Sequence, residues 1–316
     1  MDGFQLTRQS LVSDMGVAEA EPLSPPAPVR TKQGRHAAVE RTENFRRSIK
    51  ALSQLAFSGA QISASAADIS TGQELLRIDD TVAMPTAGVG RVLLLIEVAA
   101  AMAQPGFQEN SILDRTALDR AGSAGIWSHL QAPSLPIADL AVLVAATGDA
   151  LATNVLLGRV GLDAVRRRAE SLGLSRTALL DRVREVRGPD DAPQLSIGSS
   201  IELVRLFSSL AHGDVVDYLT SNRVLGWLAM NTDLSMVASA FGLDPLNHGK
   251  LDHEISLAHM TGAEGGVRSE AGVLRGPRTA VAYSVTVQFE DDELASRLAT
   301  LEAMRTVGFD LLDYVH

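Results

Sequence analysis

The sequence predicts an α+β fold in which one antiparallel sheet takes strands from both chain ends and a helical lobe is inserted between them. Three observations carry this. A helix-spaced segment followed by a hairpin pattern opens the ordered part, the middle third repeats apolar residues at three- and four-residue intervals, and the last third returns to strand texture before a closing helix.

Taken in order, residues 1–43 mix acidic residues with Pro22, Pro25, Pro26 and Pro28 and show no sustained periodicity, so they are expected to form a flexible extension. From Asn44 to Phe57, the positions Phe45, Ile49, Leu52, Leu55 and Ala56 recur at helical spacing. ISASAADISTGQELLRI then alternates and breaks at Thr71-Gly72, as a β-hairpin does. Helices are expected over Gly90–Met102, Ile137–Val160, Leu162–Leu172 and Ser199–Ala211. EISLAHMTG, AGVLRG and TAVAYSVTVQF read as successive strands. A final helix is expected from Asp291 to about Leu312, its acidic start suiting the positive end of a helix dipole. The expected domain is residues 44–316, with a sheet lobe at 44–85 and 243–316 and a helical lobe at 86–242.

Composition narrows the function classes. The formal net charge is −10, and no cluster of Lys and Arg offsets it, which argues against nucleic acid as a partner. With no cysteine there is no thiolate nucleophile or Cys-type zinc site. The apolar runs, interrupted by residues such as Glu97, fall short of a membrane span. The first 28 residues, broken up by Asp2, Arg8, Asp14, Glu19 and Glu21, lack a secretory apolar run, so a cytoplasmic location is expected. His248, His253 and His259 lie near Asp252 and Glu254, but spacings of five and six do not make a helical zinc pair; no metal and no cofactor is expected.

Five ordered segments resemble the class A β-lactamases and penicillin-binding proteins: PTAGVGRVLLL, GSAGIWSHL, VLVAATGDALATNVLLGRVG, LLDRVREV and AHMTGAEGGVRSEAGVL. They are similar to the SxxK helix start, the pocket rim, the SDN region with Asn154, the start of the Ω-loop, and the KTG strand with a Gly-Val-Arg turn. The resemblance covers about residues 46–316 and implies the β-lactamase/transpeptidase fold and a scaffold for serine acyl transfer.

Matched residue by residue, the same resemblance implies that this chemistry is absent. Gly88 stands at the nucleophile and Arg91 at the lysine three residues on, where a guanidinium cannot serve as base. Gly148-Asp149-Ala150 replaces Ser-Asp-Asn, Arg184 falls where the deacylating Glu would sit with Glu185 next to it, and Met260 replaces the lysine before Thr261 and Gly262. Thr86 is the nearest hydroxyl and has no lysine partner.

What the resemblance leaves is a cleft with two backbone oxyanion donors, Gly88 and Ala263, with Gly88 freeing volume and Met260 forming an apolar wall. Arg91, Arg184 and Arg268 are candidate ligand contacts, although Arg91 also suits an internal pair with Asp149 or Glu185. Trp127 either stacks on a ligand or covers the helical lobe. Glu185 and Asp149 are candidate acid/base groups, and Glu270 is a further pocket candidate. Each also has a structural reading: a solvated loop residue, a backbone clamp and a turn residue respectively. Two functions follow as expectations. One is a catalytically silent protein binding a small acyl- or amide-bearing ligand, or a protein partner, in the vacated cleft. The other is a repurposed enzyme doing non-covalent acid/base chemistry in small-molecule biosynthesis.

Overall fold

The computed structural model describes residues 45–107, 110–116, 125–246 and 254–316. Its centre is a five-stranded antiparallel sheet in the order β2-β1-β10-β9-β8, formed by β1 (Gln61–Asp68), β2 (Glu74–Ile78), β8 (Ser256–Glu264), β9 (Val267–Arg275) and β10 (Ala280–Gln288). The first two strands come from one end of the chain and the last three from the other, as the strand texture predicts.

Alternation along these strands separates two cores. Ile62, Ala64, Leu257, Leu274, Val281, Tyr283 and Val285 face one way, toward α1 (Arg46–Phe57) and α8 (Leu294–Val315). Met260, Ala271, Val273 and Ala282 face the other way and join the core of the inner helices. At the middle of that second core lies α2 (Arg91–Met102), whose Val92 to Ile96 are all fully buried. A helix apolar on every side is one surrounded by protein, which is why RVLLLIEVAAAM carries little amphipathic signal.

The single helix expected over Ile137–Val160 is two. α3 (Ile137–Thr147) ends where Gly148 takes a left-handed conformation at φ 61°, and α4 (Ala150–Val160) starts at Asp149, whose Oδ1 accepts from the Ala152 amide at 2.8 Å. α5 (Leu162–Ser171) and α6 (Ser200–His212) lie where helical spacing places them. α7 (Tyr218–Leu228), capped by Asp217, is an addition to the sequence reading, as are the two- and three-residue strands β3 (Met84–Pro85), β4 (Ile112–Asp114), β5 (Ser134–Pro136), β6 (Ala178–Leu179) and β7 (Ser196–Gly198). Such short strands carry no readable alternation. Among the described residues, no helix is long and apolar enough to cross a membrane.

Candidate functional site

The candidate centre is a 3₁₀ turn, Ala87–Gly90, that leads into α2 and lies against edge strand β8. Ala87 has a left-handed φ of 47°, a costly backbone for a residue with a Cβ, and the turn is over-determined by its neighbours. Ser196 on β7 donates to the Ala87 carbonyl at 2.7 Å and shares a 2.8 Å hydroxyl contact with Thr86. Thr86, the nearest hydroxyl to position 88 in the sequence, is therefore buried and engaged.

The space that Gly88 is expected to free is filled. A Cβ on Gly88 would lie 2.5 Å from Arg91 Nη1 and 2.6 Å from the Thr261 carbonyl oxygen. From the other side, a Cβ on Gly262 would lie 2.4 Å from both the Gly88 nitrogen and the Thr86 carbonyl oxygen. The strand has closed onto the turn, backbone to backbone, and the long side chain of Arg91 takes up the remaining room. Thr261 is half-buried on β8, and Ala263, in register with Arg268, is exposed. Met260 is 1 % exposed and packs into the helical core, so it lines no open cleft.

Arg91 makes no ion pair with Asp149 or Glu185. Its Nε is sealed from solvent without an acceptor, while the residue as a whole reaches the surface in part. Burial lowers its pKa to about 10, and the nearby charges of Glu264 and Asp149 act against that shift, leaving it a cation at neutral pH.

Asp149 is fully buried, and backbone amides occupy both carboxylate oxygens: Ala152 on Oδ1, and Trp127 on Oδ2 at 2.8 Å. Trp127 is itself fully buried, its indole donating to the Ala132 carbonyl at 2.9 Å, so its ring presents no stacking surface to solvent. These contacts clamp the segment after Gly125 to the start of α4.

The Ω-loop-like segment is held differently. Asn154 on α4 accepts from the Val183 amide at 2.8 Å and donates to the Val183 carbonyl at 2.9 Å, which brings an apolar residue against the helical core. Arg184 and Glu185 are exposed beyond it. Arg184 pairs with Asp181 at 2.8 Å and Asp191 at 3.0 Å, and Arg187 also pairs with Asp181 at 2.8 Å. Burial alone would raise the Asp181 pKa, but the hydrogen bond from Arg184 and the flanking cations hold it below the usual range.

Glu270 and Arg268 lie away from this centre. Glu270 projects from the sheet face that packs against α8, where it accepts from Tyr283 Oη at 2.6 Å and from the amides of Val237 and Ala238 at 2.8 and 3.4 Å. Burial raises its pKa to about 8, against the lowering effect of these hydrogen bonds. Arg268 donates to the Glu264 and Val267 carbonyls, stacks over Phe289 and approaches Asp291 at 3.7 Å. His259 is buried, its Nε2 3.1 Å from the Asp233 carbonyl, and His248, Asp252 and His253 lie outside the described residues.

Sequence reasoning missed the Thr86–Ser196 brace, the Asn154–Val183 grip and the field of Glu264 on Arg91. Asn154 lies four residues after Ala150, a helical spacing that places it beside the centre, but its loop partner has no sequence signature.

Solved structures share the whole architecture. A β-lactamase from Sphaerobacter thermophilus DSM 20745 superposes with a TM-score of 0.74 at 19% identity, covering 86% of this chain and 97% of its own. A class A β-lactamase from Mycobacterium abscessus gives 0.69 at 17% identity, covering 83% and 97%, and the penicillin-binding protein PBP-A gives 0.69 at 15%, covering 84% and 96%. At these identities the likeness speaks for the fold. Comparison with curated protein sequences finds no match. The model of the β-lactamase enzyme family matches residues 44–315, and the protein belongs to that family.

Proposed function

We propose that this protein performs no acyl-enzyme chemistry and binds a small acyl- or amide-bearing ligand at the cleft beside Arg91. One observation carries the reading: the side-chain position of Gly88 is taken by Arg91 Nη1 and the Thr261 carbonyl, so the nucleophile's place is built over as well as vacant. With no side-chain hydroxyl at residue 88 and Thr86 committed to Ser196, the turn offers no free hydroxyl to acylate. A cytoplasmic location, away from peptidoglycan, fits a binding role of this kind, and a protein partner is the other occupant the cleft would take.

Acid/base chemistry without a covalent step would need a free carboxylate beside the ligand. Of the three carboxylates that the sequence nominates, Asp149 spends both oxygens on backbone amides, Glu185 is exposed on its loop, and Glu270 lies on the opposite sheet face. This distribution supports binding over catalysis. The test is incubation of the full chain with labelled penicillin, followed by intact-mass measurement. No adduct is expected; a covalent adduct, mapped to any residue, would sink the proposal.

A further inference from the structure

α8 carries less amphipathic signal than any other α-helix among the described residues, yet it lies on the outer face of the sheet. Its inner side buries Thr300, Met304, Val307 and Leu311, as a surface helix does. Its outer side is apolar too. Leu294, Leu298, Leu301, Arg305, Phe309 and Leu312 follow one another at intervals of four and three residues, a stripe covering about 80° of the circumference at 3.6 residues per turn. Leu294 is 67% exposed and Leu298 56%. Apolar residues on both sides of a helix belong to one that is covered on both sides. The neighbouring α1 runs antiparallel to α8. Near its start, the Arg47 side chain and the Ser48 amide donate to Asp310, close to the end of α8, at 2.7 and 2.9 Å; its end and the start of α8 line one hollow together, beside Phe57, which is 92% exposed. Exposed charge divides between the two ends of this pair. Glu290, Asp292 and Glu293 lie at the start of α8, and Arg46 and Lys50 lie on α1 beside its end, while Asp291 and Asp313 are already paired with Arg297 and Arg47.

We propose that this face is covered by a second copy of the chain, the two α8 helices packing antiparallel about a two-fold axis that passes between Ala303 and Met304. That register sets Leu298 of one copy against Phe309 of the other, and Glu302 against Arg305, each contact occurring twice. It also lays the acidic start of each α8 beside the basic end of the other, so one surface complements itself in charge. A polar pair within an apolar helix seam fixes register and orientation, which gives Arg305 a reason to interrupt the stripe. Its guanidinium lies over the Phe309 ring, 5.2 Å from the centroid, at the centre of the contact. α8, with 22 residues, is about 33 Å long, and with α1 beside it the face is about 20 Å wide; it projects to about 650 Å², the order of the ~800 Å² that each partner gives to a standard interface. The net charge of −10 on each copy is screened over about 8 Å at ~0.15 M salt, so the local pattern decides the outcome. The face lies across the sheet from the turn at Gly88, and pairing leaves both candidate centres open.

Sedimentation velocity on the full chain, from about 1 to about 100 μM at ~0.15 M salt, is the test. A monomer–dimer equilibrium is expected within this range. Leu298→Glu puts a carboxylate into the seam from a position exposed in the single chain, so circular dichroism should show an intact fold while the dimer weakens by at least about tenfold. Arg305→Glu and Glu302→Arg each set like charges against one another across the axis and should weaken the dimer about tenfold. The double variant Glu302→Arg/Arg305→Glu restores the opposite charges and should return the dissociation constant to within about threefold of wild type. A chain that stays monomeric at the highest concentration overturns the proposal and leaves the face to a different protein. A dimer that Leu298→Glu does not weaken overturns it as well, and so does a double variant that binds no tighter than the single ones.

Discussion

Gly88 and Gly262 meet backbone to backbone: a Cβ on Gly262 would fall 2.4 Å from the Gly88 nitrogen, closer than real side chains approach main-chain atoms. The contact joins the 3₁₀ turn that opens α2 to the edge strand of the sheet, and it leaves neither element room to yield.

Gly262→Ala is therefore expected to destabilise the fold by about 1–3 kcal/mol, the usual cost of forcing atoms into a packed interior. Gly88→Ser should behave similarly, because its Cβ meets Arg91 and the Thr261 carbonyl, and it should gain no penicillin acylation. Urea unfolding measures the first effect and intact mass the second. A Gly88→Ser protein of wild-type stability would show that the strand stands off from the turn.

Asp149 holds two backbone segments with one carboxylate. Asp149→Ala leaves the amides of Ala152 and Trp127 unpaired in a buried setting, and a loss of about 2–4 kcal/mol is expected from a cap and a charge-assisted hydrogen bond removed together. Asp149→Asn keeps one acceptor oxygen and should lose less. Trp127, fully buried beside this clamp, should shift its fluorescence to the red in the Ala variant; unchanged emission and stability would show that the clamp contributes little.

Glu270 gives stability a pH dependence whose sign follows from its raised pKa. Its folded-state value of about 8 lies above the ordinary 4.5, so the native state holds a proton that the unfolded chain has released over this interval. The stability from this group is complete below about pH 4.5 and is lost as pH rises toward 8. The slope is on the order of 1 kcal/mol per pH unit. Tyr283, Asp233 and His259 are among the polar or titratable groups on this side of the sheet. Glu270→Gln removes the slope, so its stability relative to wild type should climb between pH 5 and pH 8 in denaturant titrations. Parallel curves for the two proteins across that range would overturn this assignment.

Glu270 also shows where sequence reading stops. β9 is buried on both faces over most of its length, so its polar residues mark no solvent-facing side, and only the pairing with β10 decides that Glu270 faces Tyr283's side and Ala271 the helical core. The order of elements was legible because helical spacing and alternation are local, and the family segments occur in sequence order. Gly148-Asp149 broke the expected long helix because a left-handed residue followed by a capping carboxylate outweighs continuous apolar spacing. The surroundings of Arg91 were not legible. Asp149 and Glu185 were reasonable counter-ions by position, but one is saturated by amides and the other is exposed.

Asn154 is the remaining test of how the centre is assembled. Its side-chain amide bonds both the N–H and the C=O of Val183, the pattern one strand offers another, from within a helix. Among the described residues no backbone ladder replaces this grip, and the ion pairs of Arg184 and Arg187 with Asp181 tie the loop mainly to itself. Asn154→Ala should therefore release residues 181–192 locally, with a global cost of about 1–3 kcal/mol for two buried hydrogen bonds. Limited proteolysis reads the local effect directly: cleavage after Arg184 or Arg187 by trypsin should accelerate at least severalfold more than cleavage elsewhere. Uniform acceleration at all sites would mean that Asn154 supports the helical core as a whole and that the loop is held by its own ion pairs.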